Sequence, residues 1–281
     1  MERKKTGLTV VELLIVIGII AILVGLLIPA LNAVKTMAKE TKQKAQLNTI
    51  ELALTAFKND YGDYPPSNWT PAEITGDYCG AQKLAEALIG WDLMGFHPSS
   101  AWRSDGLDAG GGAGTYDPAQ TRDNNGDGVP DTLTERKGPY LEMATVSAFK
   151  LGDLFRSGPL AANTYVMCDV FNWRKVVLPD GNTTMAGSPI LYYRANTSRK
   201  LIREIYNVLD NDPLVQMKYD TDGKEQPLTR DDNQFEYFYE YIRDPKIEAR
   251  AWPYRPDSYL LISAGMDGLY GTNDDIKNFG D

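Results

Sequence analysis

Hydrophobic and polar positions divide this chain sharply near its start. From Leu13 to Leu31 no side chain is charged or strongly polar, and Arg3, Lys4 and Lys5 precede the run. About 19 apolar residues match the ~20 that a helix needs to cross a bilayer. A cleaved secretory signal has a shorter apolar core and a small-residue site after it. No Ala-x-Ala site follows here, so the pattern predicts a retained span. Periodicity then continues beyond the membrane. Leu31, Val34, Ala38 and Ala45 share a stripe, and Leu47, Ile50, Leu54, Phe57 and Tyr61 repeat at steps of three and four. Lys35, Lys39, Glu40, Lys42, Lys44 and Glu51 take other faces. This predicts an amphipathic continuation of the same helix, ended by Gly62 and by Pro65-Pro66. A helix from Leu8 to Tyr61 would be about 80 Å long at 1.5 Å per residue.

After Pro66 the pattern turns short-ranged. Residues Ala81 to Leu88 read as a short helix, and Ser104 to Asp131, rich in Gly, Asp and Asn, as loop. Strands are predicted at Thr164–Phe171, Ile190–Arg194 and Tyr259–Ser263. The aromatic stretch Phe235–Ile242 fits either helix or strand, and Asp220-Thr221-Asp222-Gly223 reads as a turn. Together these predict an α+β fold, with a small antiparallel sheet laid on the long helix.

Composition adds limits. The chain has 281 residues, 43% hydrophobic and 24% charged, which argues against global disorder. Its net charge of -9 is wrong for a phosphate-binding surface, so no nucleic acid is expected. Two cysteines, Cys79 and Cys168, could form one disulfide in an exported domain; the alternative is two buried thiols. The single histidine, His97, cannot build a multi-histidine zinc site and reads as a turn or packed residue. There is no Gly-x-Ser-x-Gly elbow, P-loop or His-Glu-x-x-His, so an enzyme is not expected. A glycan- or partner-binding head using Trp69, Trp91, Trp102, Trp173 or Trp252 is a separate reading, although tryptophans more often anchor cores and interfaces.

One residue does not suit a plain anchor. Glu12 stands at the edge of the apolar run, and a charge at mid-membrane costs about 2.5–3.5 kcal/mol. Either it finds a cationic partner on assembly, or it snorkels to the headgroups. Here the residues resemble a known family. Gly7-Leu8-Thr9-Val10-Val11-Glu12-Leu13-Leu14, behind a basic leader and before a long apolar helix, is similar to the processing signal of type IV pilins and type II secretion pseudopilins. The resemblance implies cleavage between Gly7 and Leu8 by a prepilin peptidase, N-methylation of Leu8, and neutralisation of a neighbour's terminal amine by Glu12. Leu8 stands where phenylalanine is usual. Pro29 falls where such helices often carry a proline. Residues 1–7 would then be a leader, 8–31 the transmembrane or filament-core helix, 32–62 its amphipathic continuation, and 63–281 a periplasmic or extracellular head.

The head resembles the major pseudopilin at several points. Lys137-Gly138-Pro139-Tyr140-Leu141 and Ser188-Pro189-Ile190-Leu191-Tyr192-Tyr193 look like two of its segments, and the tail Leu261–Ile276 like its C-terminal calcium loop. Residues 67–135 and 196–257 look like insertions. Calcium takes six to eight hard oxygens. The tail offers Asp267, Asp274 and Asp275; the resemblance implies Asp267 and one or both of Asp274 and Asp275 as side-chain Ca²⁺ ligands, with backbone oxygens near Leu261, Ser263 and Ile276. A second candidate comes from spacing alone: Asp123, Asn125, Asp127, Val129 and Asp131 match the front half of an EF-hand-type loop, although Thr134 stands where its bidentate Glu belongs. The implied partners are copies of the same chain, minor pilin-like subunits, the prepilin peptidase, an inner-membrane assembly platform and the lipid bilayer. The implied setting is a bacterial inner membrane, crossed once, with the head in the periplasm. Secretion pseudopilus is the leading reading, with a type IV pilus for adhesion, motility or DNA uptake as the alternative.

Overall fold

The computed structural model describes residues 9–72, 74–107, 109, 115, 116, 131–178, 180–230 and 235–280. The chain divides into two compact units between Lys42 and Gln43. Helix α1, Val10–Tyr61, runs through both, with Pro29 inside it. In the first unit every large apolar side chain from Val10 to Leu31 is exposed. Each such side chain left in water forgoes about 1.5–3 kcal/mol of burial, so this stretch needs lipid or other chains around it.

The second unit is the α+β head. Its elements are α2 (Gly80–Ile89), α3 (Asp131–Thr134), β1 (Ala148–Lys150), α4 (Leu151–Leu154), β2 (Tyr165–Met167), β3 (Arg174–Val177), β4 (Thr183–Ala186), β5 (Leu191–Arg194), α5 (Ile202–Ile205), α6 (Asp212–Asp222), α7 (Glu236–Tyr241), β6 (Tyr259–Ser263) and β7 (Ile276–Lys277). Among the described residues the strands form three small antiparallel sheets rather than one: β1-β2, β3-β4 and β5-β6-β7. In the last, Tyr192 stands opposite Leu261 and Ser263 opposite Ile276.

Of the predicted stripe on α1, the Leu47–Phe57 part is buried, whereas Leu31, Val34, Ala38 and Ala45 are exposed and Tyr61 is half-buried. Leu47, Ile50, Leu54 and Phe57 lie in the core, joined by Ala53. Their cluster takes in Leu84, Leu88 and Ile89 of α2 and one face of the sheet, Tyr192, Tyr259 and Leu261. The other sheet face, Leu191, Tyr193, Leu260 and Ile262, belongs to a second cluster. That cluster is filled by Ile205, Tyr206, Leu214, Val215, Leu228, Phe238 and Ile242. So β5 and β6 are covered on both sides, which is why both read as unbroken apolar runs rather than alternating ones. The 196–257 stretch thus supplies residues of a second core layer. Two further expectations change. Only Tyr165–Met167 of the 164–171 stretch is a strand, and Asp220–Asp222 is the last turn of α6, closed by Gly223 in the left-handed region. Phe235–Ile242 resolves as helix over Glu236–Tyr241.

Buried polar groups pin the head together. Gln46 on α1 donates to the carbonyls of Val146 and Cys168, both at 2.9 Å, and Gln43 accepts from the Val170 N–H. Within α2, Lys83 reaches Asn68 and Thr70, and Glu86 accepts from Tyr78, Ser100 and Tyr116. Burial pulls the Lys83 ammonium down to about 8 and pushes Glu86 upward. The Gly-Pro-Tyr-Leu segment ties α1 to α2: Tyr140 donates its hydroxyl to Asp60 at 2.6 Å and its N–H to the Leu88 carbonyl at 2.8 Å.

Candidate functional site

At the start of α1, Thr9-Val10-Val11-Glu12 forms a reciprocal cap. The Glu12 carboxylate accepts from the Thr9 N–H at 2.8 Å and from the Thr9 hydroxyl at 2.9 Å; Thr9 Oγ1 accepts from the Glu12 N–H at 3.2 Å. This is a capping box, and the Thr-x-x-Glu spacing was its signal in the sequence. Within one chain, then, the exposed Glu12 closes its own helix. Gly7 and Leu8 lie outside the described residues.

The C-terminal loop joins β6 to β7 and brings Asp267, Asp274 and Asp275 into one stretch. Asp274 Oδ2 accepts from the N–H groups of Met266 and Asp267 at 2.7 and 2.9 Å, and its Oδ1 from the Thr272 hydroxyl at 2.6 Å. Burial raises its pKa, but these donors outweigh burial and hold it below the usual carboxylate range. Asp275 accepts from the Gly271 N–H at 2.7 Å and the Tyr241 hydroxyl at 2.5 Å. Burial, with repulsion from Asp274 and Asp267, pushes it up to about 7. Asp267 accepts from the Leu269 N–H. The turn needs a glycine at 265: its φ is +62°, and a Cβ there would lie 2.3 Å from the Asp274 carbonyl.

These hard oxygens, mutually repelling and partly desolvated, suit a divalent cation by chemistry. Among the described residues no three acidic, histidine or cysteine side chains converge as a metal-binding group. A cation would therefore draw the rest of its shell from main-chain oxygens and water. Ser263 and Ile276 face each other across the β6–β7 pair, and the Leu261 carbonyl accepts from the Asn278 N–H at 3.3 Å. Loop positions Asp123, Asn125, Asp127 and Val129 lie outside the described residues; Asp131 begins α3.

Cys79 and Cys168 are free buried thiols in one hydrophobic cluster, so the alternative to a bridge is the arrangement found. Burial pushes Cys79 up to about 12. His97 is buried, accepts from the Ser99 N–H, and lies 3.5 Å from Glu135. The tryptophans act as packing and hydrogen-bonding anchors: Trp91 donates to the Ser104 carbonyl, Trp173 to Asp222, and Trp102 stacks on Phe96. Sequence reasoning missed Tyr237 and Tyr241, which hold the C-terminal loop from α7. No local pattern marks them, because their partners lie 34 residues away in each case.

Three curated proteins set this geometry in context. The chain is 34% identical over 65 residues to type II secretion system core protein G of Dickeya chrysanthemi, covering 23% of this chain and 42% of that protein. It is 34% identical over 64 residues to the protein of the same name from Aeromonas hydrophila, covering 23% and 45%. It is 33% identical over 96 residues to the type IV wide pilus major component PilA4 of Thermus thermophilus, covering 31% of this chain and 73% of that protein. The chain thus spans under half the length of the two secretion proteins. No family model and no solved structure matches it.

Proposed function

The chain belongs to the family of type IV pilins and type II secretion pseudopilins, and from that premise we propose that it is a structural subunit of a type II secretion pseudopilus. The observation that carries this reading is the wholly exposed apolar half of α1 with a capped carboxylate at its tip. Such a surface is complete only inside a bilayer or a bundle of its own kind.

Cleavage after Gly7 leaves an amine on Leu8, close to the apolar stretch. An isolated amine and an isolated carboxylate are each costly there; pairing them between neighbouring subunits offsets both costs and selects one axial register. The subunit is held in the inner membrane by α1 until it joins the rod, with the head in the periplasm. Prepilin peptidase, an assembly platform and minor pilin-like subunits are its proposed partners. Replacing Gly7 with a bulky residue such as Gly7→Leu is expected to leave the leader in place. Mass measurement of the mature protein checks this, and a normal loss of residues 1–7 in the variant would contradict it.

The C-terminal loop is proposed to bind Ca²⁺ through Asp267, Asp275 and main-chain oxygens, with Asp274 shaping the turn. A cation bound only by the folded state at 100 times its Kd stabilises by about 2.7 kcal/mol, or about 5–10 °C in Tm for a domain of this size. Asp267→Ala is expected to abolish that calcium-dependent rise and to change little in chelator. Equal melting of the wild type with calcium and with chelator would remove the site.

A second reading, a surface pilus subunit, is favoured by the longer match to the Thermus pilus component. Long fibres on cells carrying the gene would select it, whereas loss of protein export on deletion selects the pseudopilus.

A further inference from the structure

Gln226, Leu228, Tyr237 and Tyr241 hold one side of the C-terminal loop at four separate points. Gln226 Oε1 accepts from the Tyr270 N–H at 3.1 Å, and the Leu228 N–H donates to the Tyr270 carbonyl at 3.0 Å. The Tyr237 hydroxyl donates to the Gly271 carbonyl at 2.5 Å, and the Tyr241 hydroxyl to Asp275 Oδ2 at 2.5 Å. Contact at Gly271 is so close that a Cβ there would lie 2.7 Å from the Leu228 nitrogen. Tyr241 is itself held in place, with its ring edge-on to Phe279 and under the Lys277 ammonium at 4.3 Å.

The division of labour on Asp275 is the informative part. Its Oδ2 takes both strong donors, the Gly271 N–H and the Tyr241 hydroxyl. Its Oδ1 has, among the described residues, one long contact of 3.5 Å from Thr272, too long to count as a strong hydrogen bond. One oxygen is fixed and the other is held only weakly. Carboxylates that bind metals are oriented in this way by outer hydrogen bonds.

We propose that Gln226, Leu228, Tyr237 and Tyr241 form a bracket that orients Asp275 Oδ1 toward a divalent cation, with Tyr241 as the positioning residue. This rests on the calcium reading given above and assigns a role to part of the 196–257 stretch. A tyrosine that only filled space would affect folding and not cation affinity. The bracket makes affinity the sensitive quantity, because losing the hydroxyl frees the carboxylate to turn.

The test is calcium titration by isothermal calorimetry on the full chain in detergent micelles, paired with melting in EDTA. Outer-shell substitutions at metal sites cost about 10–100-fold in affinity. Tyr241→Phe is expected to raise the Kd for calcium about 10-fold or more while the melting temperature in EDTA stays close to the wild type. Tyr237→Phe, at a half-exposed position that tolerates the change, is expected to raise it a few-fold and carries the test should Tyr241→Phe not fold. An unchanged Kd in the variants beside a calcium-binding wild type overturns the bracket and leaves the calcium reading intact. A wild type that takes up no calcium overturns both.

Discussion

Glu12→Gln is expected to leave a folded, membrane-inserted subunit that joins filaments about 10²-fold less readily than the wild type. The amide keeps an oxygen in reach of Thr9, so the cap seen at the head of α1 survives in part. What it loses is charge. A neighbour's amine would then enter the apolar contact without its counterion, at about 2.5–3.5 kcal/mol per added subunit. That is roughly two decades in each association step at 1.4 kcal/mol per decade. Glu12→Ala removes cap and charge together and adds the cost of an unmade cap, about 1 kcal/mol. Quantitative filament yield, with membrane content of the subunit as the control, separates the two. Full assembly of the Gln variant would show that helix capping, and not pairing with an amine, is the reason for the carboxylate.

The largest loss of stability is expected at Phe57. This ring is buried at the centre of an aromatic group, with Tyr61 at 4.7 Å, Phe96 at 5.0 Å and Tyr140 at 6.0 Å between centroids. Phe57→Ala leaves a cavity among rigid rings that cannot close around it, and such truncations cost about 3–5 kcal/mol. Against a total stability of about 5–15 kcal/mol, that lowers Tm by roughly 6–20 °C at 2–4 °C per kcal/mol. Thermal denaturation followed by near-ultraviolet dichroism measures it, since the same rings carry the signal. A shift below about 3 °C would mean that this aromatic cluster matters little to the head.

Long local patterns were legible in the sequence. The apolar run, the stripe from Leu47 to Phe57, the helix predicted at 81–88 and the strand at 259–263 all follow from spacing alone. Long-range pairings were not. Lys83, Glu86 and Lys218 belong to residue types rarely buried unless paired, yet all three are buried, because Asn68, Tyr116, Asp222 and others supply their partners. Gln43 and Gln46 sit on the buried face of α1 for the same reason. The β3-β4 hairpin was missed because Arg174 and Lys175 put a charge on each face of β3 and the hairpin's apolar content is low. The second core layer left one trace that could have been used: Leu191-Tyr192-Tyr193 and Leu260-Leu261-Ile262 have no polar side to offer water. For the C-terminal loop, the acidic residues and glycines were visible, whereas the tyrosines that hold it were not.

A strand with two greasy faces has an alignment problem. Sliding by one residue normally turns its oily side chains outward, and that penalty keeps neighbouring strands in step. In β5 and β6 a slide would merely exchange one oily set for another. Alignment must come from sites that cannot be exchanged: the Tyr192 hydroxyl bound to the Pro65 carbonyl, the Asn211 amide on the Tyr192 carbonyl, and the Asn278 amide oxygen on the Leu261 N–H. Those few hydrogen bonds act as locating pins, and through β6 they fix where the C-terminal loop begins.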